Sequence, residues 1–234
     1  MSLQFDINVD GVHSGGVKYL WPILGRLIIN GKKTKPFVIG VYYGFNKPKS
    51  AKIFLQEFVT EYKKLNRYGF LFAGKPYTAS LRFIICDNPA RAFIKRVIQH
   101  NGRYGCDRCF VKGKRLSRRM CFHRYCKLRT NKNSRLRKQV GHHHTQAKTI
   151  LEQFSIDMIF QFPLDPMHLV HLGVARTLWQ LLGDFNRDPD NDFDVDFTRF
   201  SAALKELEEW IPTEFSKRRV QSLTNFSDWK ATHF

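Results

Sequence analysis

The 234-residue chain is 43% hydrophobic and 14% aromatic, enough apolar material to bury a sizeable core and too much for extended disorder. Its 39 Lys and Arg against 20 Asp and Glu leave a formal charge of +19, which favours polyanionic partners, nucleic acid first and a membrane surface second. No apolar run reaches the ~20 residues of a spanning helix, and Met1 to Phe5 show no basic-then-apolar leader, so the expectation is an intracellular protein with no membrane partner.

In chain order, Leu3, Phe5, Ile7 and Val9 alternate with Asp6, Asn8 and Asp10, the period of a half-buried strand that Gly11 ends. Tyr19 to Ile29 is a second apolar run, stopped by the turn signal Asn30-Gly31, and Pro36 to Gly44 is a third. Three strands joined by tight turns predict an antiparallel meander. Ser50 is an N-cap candidate for a helix carrying Leu55, Phe58, Val59, Tyr62 and Leu65. Ser80 to Asp87 is a strand ending on an acid, and Ala90 to Gln99 a helix. Residues 111–140 hold 12 Lys or Arg and no acid, which predicts a loop or an insertion ordered only by metal or nucleic acid. Asp165-Pro166 is a helix start, followed by the apolar stripe Val170, Val174, Leu178 and Leu182. A last stripe contains Phe197, Phe200, Leu204, Leu207 and Ile211.

The expected architecture is α/β, a mixed sheet with flanking helices. Its strand order matches the RNase H-like fold, in which the first strand lies beside the strand that follows the long helix. The acids at the ends of those two strands, Asp10 and Asp87, then meet. Paired carboxylates suit Mg²⁺ or Mn²⁺, hard cations that prefer oxygen. Two such ions about 3.5–4 Å apart serve phosphodiester chemistry. Asp before Gly or Asn-Pro is also ordinary turn chemistry, and Asp6 is the one local alternative on the face of Asp10.

Five cysteines, an odd number, fit thiols or metal ligands better than a disulfide framework. Cys106-Asp107-Arg108-Cys109 after Gly105 has the spacing of a Zn²⁺ half-site. Its further ligands are open: Cys121 and Cys126, the helical pair His168 and His171, or the run His142, His143 and His144. Lys112, Lys114, Arg115, Arg118 and Arg119 are expected to contact the DNA backbone and not base edges, and Lys112 to Arg119 doubles as a nuclear-import candidate.

Several segments together resemble the CACTA-type (En/Spm-like) DNA transposases and their animal relatives. Asn8-Val9-Asp10-Gly11 with Trp21-Pro22-Ile23-Leu24-Gly25 is similar to their N-x-D-G and W-P-I-L-G opening, and Cys86-Asp87-Asn88-Pro89-Ala90-Arg91 to C-D-x-P-A-R. Cys106 to Cys109, Phe162 to Val170 (F-P-L-D-x-M-H-L-V) and Trp229 to Thr232 (W-K-A-T-E) complete the series in the same order. The resemblance implies a DDE-type, RNase H-like core that cleaves and transfers DNA strands with divalent metal, Asp10 and Asp87 being the first two acids. It also implies a zinc site on Cys106 and Cys109 with downstream histidines, His168 foremost; His171 stands where relatives often have Cys. Asp165 and His143 are further candidates. It implies a nuclear protein acting on DNA as a homodimer. His233 stands where the motif has glutamate, and relatives continue beyond Phe234 with an apolar segment. The expected division is therefore a core over 1–100, a basic Cys/His-rich, mainly helical zinc insertion over 101–150, and a truncated helical region over 151–234. The rival expectation is a zinc- and DNA-binding protein derived from a transposase that has lost the chemistry. A third is a remnant that no longer folds well.

Overall fold

A computed structural model describes residues 2–14, 18–116, 119–123, 126–144, 148–185, 196–210 and 221–229. Met1–Leu164 forms one compact unit and Asp165–Phe234 another.

The first unit is built on a mixed sheet. Strands β1 (Ser2–Val9), β2 (Val12–Ser14), β3 (Lys18–Ile29), β4 (Lys32–Lys33) and β5 (Phe37–Gly44) make the antiparallel part. Helix α1 (Ala51–Arg67) follows, then β6 (Phe70–Phe72) and β7 (Lys75–Cys86). β5 pairs with β3, β3 with β1, and β1 runs parallel to β7, with Val9 opposite Cys86. The mixed α/β architecture expected from sequence is present. The hairpin of β6 with β7, turning at Ala73-Gly74, and the short β2 and β4 extend it.

Helix α1 starts where Ser50 accepts a hydrogen bond from Ile53 N at 3.3 Å, a side-chain cap for an otherwise orphaned donor. Its Leu55, Phe58, Val59 and Tyr62 lie on one helical face and pack on Phe5, Ile7, Val9, Trp21 and Ile23. Leu81, Ile84 and Cys86 join them, although an unbroken period of two would turn Leu81 away from the other two. A β-bulge resolves this. Phe5 faces Leu81 but Asp6 faces Phe83, leaving Arg82 as the extra residue that restores the apolar phase.

After β7 comes α2 (Asn88–Lys95), ended at Arg96 in the left-handed conformation (φ 57°). The segment 101–150 is not mainly helical. Its described residues form a hairpin of β8 (Lys114–Leu116) and β9 (Arg119–Cys121), one short helix α3 (Asn131–Arg135), a single 3₁₀ turn at Val140–His142 and irregular chain. Arginines order much of it. Arg135 donates to the carbonyls of Glu152, Phe154 and Ile156, and Arg137 pairs with Glu152 at 2.6 Å. The three Arg135 bonds satisfy backbone carbonyls, and the Arg137 bond a carboxylate. The stretch beyond it contributes Ile150, Leu151, Ile156, Met158 and Phe162 to the core.

The second unit opens with a π-helix (Met167–Ala175) running into α4 (Arg176–Phe185), followed by α5 (Phe197–Glu206). Among its described residues Leu223 and Trp229 are the buried apolar side chains, and Trp229 Nε1 donates to Ser222 O at 3.1 Å. The stripe of Val170, Val174 and Leu178 is about half exposed, at 48%, 53% and 55%. Ile211 lies outside the described residues.

Candidate active site and metal half-site

The parallel pairing of β1 with β7 decides where the acids sit. Val9 and Cys86 are register partners, so Asp10 and Asp87 follow side by side at the same end of adjacent strands. Just beneath them Asn8 donates from Nδ2 to Ile85 O at 3.2 Å, stitching the two strands together. Both carboxylates are partly exposed. Asp87 is the N-cap of α2, its Oδ1 accepting from Ala90 N at 2.8 Å, which leaves Oδ2 uncommitted by the cap. Asp10 Oδ1 accepts from Gly11 N at 2.7 Å. Gly11 is required there: a Cβ would lie 2.6 Å from the Trp21 indole. The pairing of D-G with a tryptophan ten residues on is thus a packing contact.

Asp6, the local alternative to Asp10, is otherwise engaged. It is 2% exposed and accepts from Arg82 Nε (2.8 Å) and Nη2 (2.7 Å), with Arg26 Nη2 at 3.3 Å. Burial pushes its carboxyl up, but the bonds from Arg82 and Arg26 outweigh that and hold it below the ordinary range. A carboxylate neutralised by two guanidinium groups is a poor cation ligand.

No protein-family model and no curated protein matches this chain. Its chemistry rests on residue geometry.

Cys106 and Cys109 face each other, Sγ to Sγ 3.3 Å, with Cys109 N donating to Cys106 Sγ at 3.4 Å. That is far from a disulfide bond and within the span two thiolates bridge when each binds one ion at about 2.3 Å. The turn depends on Gly105, where a Cβ would fall 2.0 Å from the Gln99 carbonyl oxygen. Burial raises the Cys109 thiol, and neighbouring Cys106 and Cys126 raise it further. Cys126 therefore lies within electrostatic reach of the pair. Cys121 is on β9, opposite Lys114. Cys86 is buried and its thiol is pushed up to about 12, the state of an inert core cysteine. Among the described residues, no three His, Cys, Asp or Glu side chains converge as a metal-ligand group.

His168 and His171 lie on the π-helix, whose i→i+5 winding separates an i, i+3 pair more widely than an α-helix does. Asp165 caps that helix, Oδ1 accepting from Met167 N at 2.9 Å, and its Oδ2 contacts His168 Nδ1. This orients the ring, the relation a carboxylate commonly has to a metal-binding histidine. His143 sits elsewhere, edge-on to His142 with ring centroids 5.1 Å apart. Burial and then Arg137 and Arg129 lower it to about 4. His233 and Arg118 lie outside the described residues. Lys112, Lys114, Arg115 and Arg119 are all exposed, the last three on the β8–β9 hairpin.

Sequence reasoning missed the link between the acids and the cysteines. Asp107, inside the C-x-x-C turn, is 8% exposed and contacts Lys95 of α2, with Arg91 Nε at 3.7 Å. Burial pushes the Asp107 carboxyl up, but Lys95 and Arg91 together hold it low, so it is ionised. Arg91 also donates to Pro163 O at 3.2 Å, and Arg108 to Ile159 O at 2.5 Å and to Phe162 O. Helix α2 thus carries Asp87 at one end and the C-x-x-C turn at the other. The signal was present: Asp107 is the sole acid between Asp87 and Glu152, in a stretch crowded with cations. An apolar cavity of about 290 Å³ lined by Leu3, Phe5, Leu27, Phe37, Phe70 and Ala79 lies at the opposite end of the sheet and takes no part.

Proposed function

We propose that the chain carries the catalytic core of a transposase-like protein, of RNase H-like type, that cleaves and transfers DNA strands with divalent metal. The observation that carries this reading is the pair Asp10 and Asp87, brought to one end of adjacent parallel strands by the order β5, β3, β1, β7 with α1 as the connection. The charge of +19 and the exposed cations of the β8–β9 hairpin support DNA as partner. Asp10 and Asp87 would hold Mg²⁺ or Mn²⁺ through carboxylate oxygens not engaged by Gly11 and Ala90. Ions so held supply activation of the attacking oxygen, first water and then a DNA 3′-hydroxyl, and stabilise the leaving one. Cys106 and Cys109 would be a structural zinc half-site. Action as a homodimer on two DNA ends and a nuclear location belong to the same proposal. No helix among the described residues is long and apolar enough to cross a membrane.

The test uses Asp10→Asn and Asp87→Asn. Asparagine keeps the cap on α2 that alanine would lose at a cost of about 1 kcal/mol. Each variant should lose Mn²⁺-dependent plasmid nicking by about 100-fold or more while melting like the parent, and the double variant should show no heat of Mn²⁺ binding. Undiminished nicking, or equal heats, removes the catalytic assignment. His233, in place of the motif glutamate, favours the second reading, a zinc- and DNA-binding protein without the chemistry. Salt-sensitive DNA binding by a parent protein that never nicks would establish it.

A further inference from the structure

The end of the sheet that carries Asp10 and Asp87 also carries aromatic side chains that the core does not use. Tyr43 and Phe45 are 56% and 67% exposed. Lys18 Nζ stands over both rings, 5.1 Å from the Tyr43 centroid and 5.4 Å from that of Phe45. The register fixes their place. Val12, two residues after Asp10, faces Leu20, and Leu20 faces Tyr43. With strands about 4.8 Å apart and a rise of about 3.3 Å per residue, Tyr43 lies about 12 Å from Asp10 across the sheet. That is a few nucleotide steps at the ~3.4 Å rise of one DNA strand.

Tyr43 belongs to the side of the sheet that faces away from α1. Trp21 and Ile23 of β3 pack with the α1 core, and Leu20, the register partner of Tyr43, alternates with them. Strand alternation puts Asp10 on that same side, since Val9 before it is buried in the α1 core. Two exposed rings interleaved with an ammonium group, on a protein with a large cationic excess, match single-stranded nucleic acid. The rings stack on unpaired bases and the ammonium group meets a flanking phosphate. A protein partner would be met by apolar surface without this interleaving, and duplex DNA presents no free base face.

We propose that Tyr43 and Phe45, with Lys18, form a stacking platform for an unpaired base of the DNA strand whose backbone lies at Asp10 and Asp87. The proposal rests on the DNA-cleaving reading and adds that the strand is locally unpaired beside the cut. Its test is a binding measurement without divalent metal, so failure of the chemistry leaves it unaffected. Fluorescence anisotropy would compare a labelled oligodeoxythymidine and a duplex of equal length, for the parent and for Tyr43→Ala/Phe45→Ala. Single-strand affinity should fall about tenfold or more per ring lost, with duplex affinity changed less than about twofold. Phe45→Trp should keep the affinity and add indole fluorescence that the oligonucleotide quenches. Unchanged single-strand affinity in the double variant, or an equal fall for duplex and single strand, overturns the platform and leaves the acid pair standing. A parent protein that binds neither form overturns the platform and the DNA reading together.

Discussion

His142 is 1% exposed, its Nδ1 is 2.7 Å from the Tyr104 carbonyl, and Ile98 N donates to its own carbonyl at 2.8 Å. Burial first, then the charge of Arg129, lowers its ring to about 3, and His143 follows at about 4. Both are therefore neutral in the folded protein at any ordinary pH. The unfolded chain takes up a proton at each ring near pH 6.5. Below that pH it binds more protons than the native state, so stability falls as the medium is acidified. For His142 the loss is about 2 kcal/mol at pH 5 and grows until its folded value is reached. The carboxyls of Asp6 and Asp107, held low, add their own losses only below about pH 4, so they do not contribute between pH 7 and 5. Denaturant unfolding at pH 7, 6 and 5 measures this directly; a constant unfolding free energy across that range would show that the histidines are not buried neutral. The same environment argues for His143 as a structural residue. A ring beside Arg129 and Arg137 lies in a positive field that repels a metal ion.

At the scale of elements, the bulge at Arg82 decides which side of β7 meets α1. Deleting Arg82 would remove the bulge and leave Phe5 opposite Leu81 and Asp6 opposite Phe83 in unbroken alternation, with Leu81, Ile84 and Cys86 still on the core side and Asp6 short of one guanidinium. The deletion should therefore fold cooperatively, with a loss close to that of removing the pair with Asp6. Arg82→Ala keeps the register and loses only the paired bonds to Asp6, at a cost of about 2 kcal/mol. Thermal melts of the two variants test this: equal losses are expected, and a deletion that abolishes the transition would show that β7 needs the bulge for more than its apolar phase. The bulge also marks the limit of the sequence. Ser80 to Asp87 was legible as a strand, yet its apolar run Phe83, Ile84 and Ile85 gives no phase. The meander, α1 and the start of α2 were legible because turn residues and caps are local. The meeting of Asp10 with Asp87 was legible only through a topology, and the structure supplies the parallel pairing that topology requires. The π-helix was hidden because an i, i+4 stripe looks the same whether the backbone closes at four residues or five. The ordering of 111–140 was hidden because an arginine that staples carbonyls and one that waits for phosphate look alike in sequence.

That division among the cations governs the molecule as a whole. The excess of +19 is not one uniform field. Arg91, Arg129 and Arg137 are buried, Lys95 is 1% exposed in its side chain beside Asp107, and Arg135 is spent on carbonyls. These groups hold the first unit together and have little reach into solvent. Lys112, Lys114, Arg115 and Arg119 are exposed, and three of them ride on a two-stranded hairpin with no core of its own. Only such groups release counterions when DNA binds, each phosphate neutralised adding about 0.9 to the slope of log affinity against log salt on duplex DNA. Replacing the four by glutamine should therefore lower that slope by about 3 to 4, weaken binding to all sequences alike, and leave the melting temperature unchanged. Arg135→Gln should do the opposite: a lower melting temperature, because three carbonyls lose their donor, and an unchanged slope in whatever protein remains folded. Anisotropy titrations over a range of salt, with melts on the same samples, test both. A slope that stays the same after the hairpin charges are removed would place the DNA path elsewhere on the protein, and a slope that falls with Arg135 would show that the stapling arginines also face the phosphates.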